Sequence, residues 1–280
     1  MDKFFIIANR QKDKELKTAR KVEAYLNSKG KSCILREETS EQKARSNHYT
    51  DVEKIPKDVE CIIVIGGDGT LLQAARDVVN RQIPLLGINM GTLGYLAEID
   101  RSSIDGALNH LMLDEYTIEK RMMLNGKVYH KEELIAEDVA LNDIVIGRDG
   151  PLHVTRFHNY VNGEFLNSYT ADGIIIATAT GSTGYSLSAG GPIVSPETNI
   201  LIMTPVAPHT LNTRSVIFPA EIGEGSQGCE AKAVVSFDGD TNVPMRTADR
   251  VAIRRSVKDT QIIKISNISF LEVLRRKMKN

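Results

Sequence analysis

The first hundred residues alternate short apolar runs with stretches of helical spacing. Four strands are predicted, at residues 4–8, 32–35, 61–65 and 84–88, and two helices, at residues 14–29 and 71–79. Gly30 follows the first helix, in a position where glycine commonly ends a helix. Because strands that alternate with helices form parallel sheets covered by helices, this part predicts an α/β domain. The charged stretch between Arg36 and Asp58 has no apolar period and predicts a surface loop.

From Tyr116 onward, strand-like runs are joined by hairpin signals. Asn125-Gly126 and Asn162-Gly163 each separate two short runs, and Asn-Gly is a strong two-residue hairpin signal. Further apolar runs continue the pattern, at residues 174–177, 200–204, 231–237 and 251–254. The sequence therefore predicts a β-rich second domain over residues 101–261. The first domain would cover residues 1–100, completed by residues 262–280, with the active site in the cleft between the domains.

Composition and charge narrow the class of protein. With 280 residues, of which 41% are hydrophobic and 25% charged, the chain is typical of a globular protein that folds in water. The run Phe4-Phe5-Ile6-Ile7 is too short for a signal peptide, and no other apolar run could span a bilayer. Three widely spaced cysteines indicate neither a disulfide framework nor a zinc site, so we expect a cytoplasmic protein. A net charge of -1, without a basic and aromatic stripe, argues against a nucleic-acid partner.

The strongest chemical signal is a buried strand that runs into a glycine-rich turn, Gly66-Gly67-Asp68-Gly69-Thr70. Glycines let the backbone approach a phosphate closely, and the following helix offers free N–H groups and a positive dipole end. A carboxylate there would repel a phosphate unless it holds a metal or accepts the proton of an attacking hydroxyl. Asp68 is therefore a candidate catalytic base, with a helix cap as the alternative. The turn is neither a P-loop, since no Gly-Lys-Ser/Thr follows, nor the dinucleotide fingerprint, whose third glycine is missing.

Three later segments carry polar groups suited to a nucleotide. Asn142-Asp143 offers an amide and a carboxylate that match vicinal ribose hydroxyls, although such a dipeptide is also common in ordinary turns. Asp172-Gly173 precedes an apolar strand, so the carboxylate can face a pocket or form an Asx-turn. Residues 180–191 combine glycines and hydroxyls densely enough to wrap a polar ligand, with a solvated loop as the alternative.

The glycine-rich turn resembles the diphosphate-binding signature of NAD kinases, 6-phosphofructokinases and the diacylglycerol and sphingosine kinases. Three further segments resemble NAD kinase motifs in particular: Leu141-Asn142-Asp143-Ile144-Val145, Asp172-Gly173 followed by residues 180–192, and Thr204-Pro205-Val206-Ala207-Pro208-His209-Thr210-Leu211. The four segments stand in the family's order, and the resemblance, which is to bacterial ATP-NAD kinases, covers nearly the whole chain.

The resemblance implies a transferase of NADP biosynthesis. It would move the γ-phosphoryl group of ATP, with Mg²⁺ as cofactor, to the 2′-hydroxyl of the adenosine ribose of NAD, and Asp68 would be the base. NAD and ATP would be its ligands, the chain would form a homo-oligomer, a dimer or tetramer, and no separate protein metal site is implied. The implied nucleotide-binding residues are Gly67, Asp68, Gly69, Thr70, Asn142, Asp143, His153, Asp172, Thr183, Gly184, Tyr185, Ser186, Ser188, Ala207 and His209.

The chain departs from the family pattern at four positions. Asp143 stands where Glu is usual, which shortens the reach of the carboxylate. Ala179 and Gly184 stand where Pro and Ala are frequent, and Thr170 replaces a common basic residue two positions before Asp172. Two alternatives stay open, a lipid kinase and a dinucleotide-binding regulator without turnover. No basic amphipathic helix indicates a membrane surface, and the intact turn around Asp68 argues against a regulator.

Overall fold

The computed structural model describes residues 1–35, 50–92, 94–150, 155–209, 214–222, 225–229, 232–266 and 268–279. The chain divides into two compact units. Met1–Lys120 and Asp259–Asn280 form the first, and Arg121–Lys258 form the second. The surface loop predicted between Arg36 and Asp58 lies largely outside the described residues. None of the helices in the described ranges is long and apolar enough to cross a membrane.

The first unit is an α/β domain, which confirms the prediction from the alternating pattern. Its elements begin with β1 (Lys3–Ala8), α1 (Lys17–Ser28), β2 (Ser32–Leu35), β3 (Cys61–Gly66), α2 (Asp68–Val78), β4 (Leu85–Asn89), α3 (Ile104–Met112) and β5 (Thr117–Arg121). β1 pairs in parallel with β2 and β3, and β3 pairs in parallel with β4. Every residue of β3 and β4 is buried, as expected for the inner strands of a parallel sheet with helices on both faces.

Helices cover both faces of this sheet. α1 buries one side, at the spacing i, i+3 and i+7, through Ala19, Val22 and Leu26. The α3 residues Ala107, Leu108 and Leu111 belong to the same core cluster, so the first unit continues through α3 and past the boundary predicted at residue 100. On the opposite face, Leu71 of α2 packs on Gly87 of β4, where a Cβ would come within 2.6 Å of Leu71 Cδ1.

The second unit consists mainly of strands, which confirms the predicted β-rich domain. Its elements are β6 (Leu124–His130), β7 (Glu133–Ala140), β8 (Asp143–Arg148), β9 (Thr155–Val161), β10 (Glu164–Ala171), β11 (Gly173–Thr178), α4 (Tyr185–Ser188), β12 (Ile200–Val206), β13 (Val216–Pro219), β14 (Gly225–Cys229), β15 (Ala233–Phe237), β16 (Thr241–Met245) and β17 (Asp249–Arg255). Within the described ranges they form two six-stranded sheets, ordered β10-β9-β14-β17-β6-β7 and β13-β12-β11-β8-β15-β16. Phe157 of one sheet and Phe237 of the other belong to one buried core.

One of the two predicted hairpins is confirmed and the other is wrong. At Asn162-Gly163 both residues have positive φ, 52° and 81°, and β9 and β10 pair in antiparallel fashion around them. Asn125-Gly126, by contrast, lies inside the continuous strand β6, and the chain reverses after His130, where Lys131 has a φ of 54°. Gly126 is explained by packing, because a Cβ there would lie 2.7 Å from the ring of Phe237.

The end of the chain returns to the first unit. β18 (Thr260–Lys264) pairs in parallel with β4 and lies between β4 and β5, so the sheet order is β2-β1-β3-β4-β18-β5. α5 (Phe270–Lys277) follows, and the Ser269 hydroxyl caps it by accepting a bond from the N–H of Glu272 at 3.2 Å. The C-terminal segment thus supplies an inner strand to a sheet that begins at the N-terminus.

Candidate active site

The glycine-rich turn joins the buried strand β3 to the start of α2. Gly67 is extended, with φ -158° and ψ -172°, and its carbonyl accepts the N–H groups of Thr70 and Leu71 at 2.9 and 3.1 Å. Gly66 is required by packing, because a Cβ there would overlap the side chain of Thr70. The N–H groups of Asp68 and Gly69, the first two of α2, have no partners within the helix, so this turn can receive an anion.

The Asp68 side chain is held by a separate segment. Its Oδ2 accepts the N–H of Tyr95 at 2.7 Å, and its Oδ1 accepts the N–H groups of Leu96 and Ala97 at 3.1 Å each. Gly67 is the N-cap of α2, and no side-chain cap bond is found for this helix among the described residues, so Asp68 is not the helix cap. A carboxylate has about four acceptor positions, and three are occupied here. The one that remains is on Oδ2 of a half-exposed side chain.

Sequence reasoning missed two other polar residues at this turn, Lys12 and Asn9. The Nζ of Lys12 lies 2.6 Å from the position that a Cβ on Gly67 would occupy. The Asn9 amide donates to Thr70 Oγ1 at 3.2 Å. Both follow the carboxyl end of β1, which neighbours β3 in the sheet, and ligands of open α/β sheets bind at these ends. That rule, applied to the residues just after the strand at 4–8, could have identified them.

In the second unit, the Asn142-Asp143 and 180–191 segments come together as expected. The carbonyl of Asn142 accepts the N–H of Thr178 at 2.8 Å, and Thr178 Oγ1 donates to the carbonyl of Leu141 at 2.7 Å. A Cβ on Gly181 would overlap the Asn142 carbonyl, so only glycine fits against this turn. A Cβ on Gly184 would lie 3.4 Å from Asn142 Nδ2 and 3.6 Å from Asp143 Oδ2. The amide and the carboxylate are thus close to the glycine-rich loop.

Asp143 is only 5% exposed, and this burial has the largest effect on the pKa of its carboxyl group. Burial raises the pKa of Asp143 to about 7, and the nearby carboxylate of Asp238 adds to the rise. The group therefore changes charge near neutral pH, whereas Asp ordinarily ionises near 3.8.

The hydroxyls of the loop differ in accessibility. Tyr185 is 48% exposed and Ser188 is exposed, whereas Thr183 is half-buried with its Oγ1 donating to the carbonyl of Thr180 at 3.3 Å. Ser186 is fully buried and is bonded to Thr204 Oγ1 at 3.1 Å, and Thr204 is in turn bonded to Ser215 Oγ at 2.9 Å. Ser186 therefore anchors the loop to β12, and the ligand contact expected for it stays a prediction.

Asp172 and the described part of the predicted NAD kinase motif at residues 204–211 are also brought together. The N–H of Asp172 donates to the carbonyl of Val206 at 3.0 Å, and the N–H of His209 donates to the carbonyl of Thr170 at 2.8 Å. Ala207 and His209 are exposed, and Ala207 has an unusual φ of 44°. The Nε of Arg148 donates to Asp172 Oδ1 at 2.9 Å, a cation that sequence reasoning missed because only strand register places it there. His153 lies outside the described residues.

Comparisons with known proteins agree with this arrangement. The family model for the ATP-NAD kinase N-terminal domain matches residues 4–116, and that for the ATP-NAD kinase C-terminal domain matches residues 141–265. The NAD kinase of Lachnospira eligens is 44% identical over 99% of this chain and all of that protein. The NAD kinase of Agathobacter rectalis is 44% identical over all of this chain and 99% of that protein.

Solved structures show the same fold. Yeast NADH kinase complexed with NADH has a TM-score of 0.85 and 24% identity, covering 100% of this chain and 88% of that one. An NAD kinase from Archaeoglobus fulgidus in complex with ATP has a TM-score of 0.78 and 22% identity, covering 99% of this chain and 98% of that one. The lipid kinase and the non-catalytic regulator find no support in these comparisons. Because family models match most of the chain and full-length relatives are 44% identical, this protein belongs to the ATP-NAD kinase family.

Proposed function

We propose that the enzyme transfers the γ-phosphoryl group of ATP to the 2′-hydroxyl of the adenosine ribose of NAD, producing NADP. The observation that carries this assignment is Asp68, whose carboxylate is oriented by three backbone N–H groups and keeps one acceptor position open on Oδ2. Such a group can accept the proton of an attacking hydroxyl while the hydroxyl oxygen bonds to the γ-phosphorus and the bond from that phosphorus to the bridging oxygen of ADP breaks, so that ADP leaves. No covalent enzyme intermediate is needed.

The donor side of the reaction is assigned to the glycine-rich turn. Backbone N–H groups of Gly67 and Gly69 are suited to the phosphate oxygens, and the Lys12 ammonium beside Gly67 adds a positive charge. Thr70 closes the turn through its N–H bond to the Gly67 carbonyl. In the described part of the chain, Lys12 Nζ has no carboxylate within salt-bridge distance, so its charge is available to an anion.

Mg²⁺ fits this donor side as a partner of the triphosphate. Among the described residues, no group of three His, Cys, Asp or Glu side chains is placed to hold a metal ion alone, so the phosphates would supply most ligands. When bound, the ion would neutralise charge that develops on the transferred phosphoryl group.

The acceptor side is assigned to the second unit. Asn142 and Asp143 match the vicinal hydroxyls of a ribose, and the exposed ring of Tyr185 offers a face to a base or ribose. Asp172, paired with Arg148, would bind the carboxamide or amine of the dinucleotide. Ala207 and His209 would line the same pocket, because their segment is bonded to the residues around Asp172. His153, Thr183 and Ser188 keep their predicted binding roles within this assignment.

We further propose that the enzyme works as a dimer or tetramer in the cytoplasm. Large apolar side chains at the two edge strands of one sheet of the second unit support self-association, since Leu134, Ile135 and Phe165 are 46%, 46% and 55% exposed. Two buried, unpaired thiols, Cys33 and Cys61, suit a reducing compartment. Light scattering of the purified protein measures the oligomeric state.

The assignment is tested by the product and by the base. Incubation with Mg-ATP and NAD should give NADP, seen by phosphorus NMR as a new monoester on the adenosine ribose. NAD that lacks only the adenosine 2′-hydroxyl should bind without reacting. Asp68→Asn keeps the size of the side chain and one oxygen acceptor but replaces the other oxygen with an NH2 group, which cannot accept a backbone N–H or a proton. It should retain NAD binding and lower kcat by about a hundredfold or more. Turnover of the 2′-deoxy analogue, or a near wild-type kcat for the variant, would contradict the proposal.

A further inference from the structure

A carboxylate outside the four motifs lies beside the Asn142-Asp143 turn. Asp238 is the first residue after β15, and it has a positive φ of 51°, followed by Gly239 at 74°. Its Oδ2 accepts the N–H of Leu141 at 2.8 Å. Its Oδ1 accepts the N–H groups of Asn142 at 2.8 Å and of Asp143 at 3.0 Å. Its own N–H donates to the carbonyl of Asp143 at 3.0 Å, so the two turns are bonded in both directions.

Three consecutive backbone N–H groups that point at one anion form a nest. Hydrogen bonds to an ionised acceptor are about twice as strong as neutral ones, so the nest fixes the backbone of residues 141–143. The Asn142 amide and the Asp143 carboxylate lie beside Gly184. The conformation of the backbone at residues 141–143 determines the direction in which these two side chains point. Loss of the anion would leave three N–H groups to find other acceptors, and the turn would lose this restraint.

We propose that Asp238 is a positioning residue for dinucleotide binding. Its carboxylate fills the nest of residues 141–143 and so orients Asn142 and Asp143 toward the ribose hydroxyls. The inference rests on the proposed role of the Asn142-Asp143 turn in binding NAD. Asp238 touches no substrate in this scheme and acts through the turn.

Asp238 also acts on Asp143 through its charge. Burial is the main cause of the raised pKa of Asp143, and repulsion from the Asp238 carboxylate raises it further. Ribose hydroxyls donate to an ionised carboxylate at both oxygens, so NAD should bind more tightly as pH rises through about 7. Removing the charge at position 238 should move this transition to lower pH.

Two substitutions separate the carboxylate from the backbone shape. Asp238→Gly removes the nest's anion while keeping a residue that accepts positive φ, and Asp238→Asn keeps one oxygen acceptor without the charge. Glu164→Gln is the matched control, since Glu164 is an exposed carboxylate beside another hairpin turn of the same unit. KM for NAD, KM for ATP and kcat are measured for each, together with NAD affinity by isothermal titration.

We expect Asp238→Gly to raise KM and Kd for NAD about tenfold or more, with a smaller rise for Asp238→Asn and KM for ATP within about twofold. In Asp238→Asn, the pH at which NAD affinity changes should also shift downward, which a purely structural loss would not cause. If Asp238→Gly does not fold, NAD affinity, KM for ATP and the pH profile of Asp238→Asn test the inference. Unchanged NAD affinity, equal losses for NAD and ATP, or an unmoved pH profile would overturn the inference. A wild-type enzyme that makes no NADP would instead contradict the proposed function, since titration tests Asp238 without turnover.

Discussion

Asp68 and Asp143 carry the same side chain in two different surroundings. Asp68 is half-exposed and its carboxylate accepts three backbone N–H groups, which orient it and leave one acceptor position open. Asp143 is buried beside a second carboxylate, and its pKa is raised to about 7, first by burial and then by Asp238. Asp68 is therefore suited to accept a proton from a defined direction, whereas Asp143 changes its own charge near neutral pH.

The raised pKa of Asp143 predicts a pH-dependent stability. Between the ordinary value of 3.8 and about 7, the folded state holds a proton that the unfolded state has lost. The free energy of unfolding should therefore fall as pH rises through this window, by at most about 4 kcal/mol. Asn at position 143 cannot ionise, so Asp143→Asn should lose this decrease in the free energy of unfolding with pH. Urea unfolding of both proteins at pH 5 and pH 8 measures the difference, and an identical pH dependence would contradict the assigned titration.

At the scale of elements, the segment from Gly94 to Ala97 determines how the candidate base is held. Its backbone supplies all three hydrogen bonds to Asp68, and a Cβ on Gly94 would overlap Asp68 Oδ1. The segment therefore packs tightly against Asp68 at the start of α2, and a methyl group added at Gly94 would displace the Asp68 carboxylate.

Gly94→Ala should therefore reduce catalysis more than stability. The extra Cβ displaces the Asp68 side chain from its three donors, so we expect kcat to fall by about tenfold or more with KM for NAD little changed. Steady-state kinetics and a thermal melt test this. Gly106→Ala, in α3 of the same unit, is the matched control, because nothing lies within 4 Å of a Cβ at that position. A kcat equal to that of wild type would show that the contact is relieved without cost.

Sequence reasoning succeeded where local pattern decides structure. The βα alternation, the Asn162-Gly163 hairpin and the strand–turn–helix around Asp68 all follow from residues close in the chain. It failed at Gly126, whose glycine is required by the Phe237 ring from another strand, and it missed Arg148, which reaches Asp172 only through strand pairing. The nest around Asp238 joins positions 95 to 97 residues apart. Such contacts depend on the tertiary fold and leave no local signal.

At the scale of the whole molecule, the first unit is assembled from both ends of the chain. β18 lies inside its sheet, and the end of this strand is tied to the segment that holds Asp68. The buried carboxylate of Glu98 accepts the Lys264 ammonium at 2.7 Å, the N–H groups of Ile265 and Ser266 at 2.8 and 3.1 Å, and the Ser266 hydroxyl at 2.9 Å. Burial opposes ionisation of Glu98, but Lys264 and these donors lower its pKa overall.

Lys264→Met should destabilise the first unit markedly. The side chain keeps its length, but the buried Glu98 loses its cation, and breaking such a pair costs about 3 kcal/mol or more. The midpoint of thermal unfolding should therefore fall. Lys127→Met is the control, because the Lys127–Glu137 pair is more exposed and its charges are 3.6 Å apart. Equal effects of the two substitutions would show that the Glu98 cluster adds no special stability.

The place of β18 in the sheet also bears on how the enzyme is made. A ribosome releases the N-terminal strands first, and domains generally fold as they emerge, but here β4 and β5 must wait for a strand that follows the whole second unit in the sequence. The second unit, whose residues are contiguous, is synthesised in between. A polypeptide that ends early through a nonsense mutation or a stalled ribosome therefore lacks the strand between β4 and β5. Such a fragment would expose two unpaired strand edges, which mark it for aggregation or degradation.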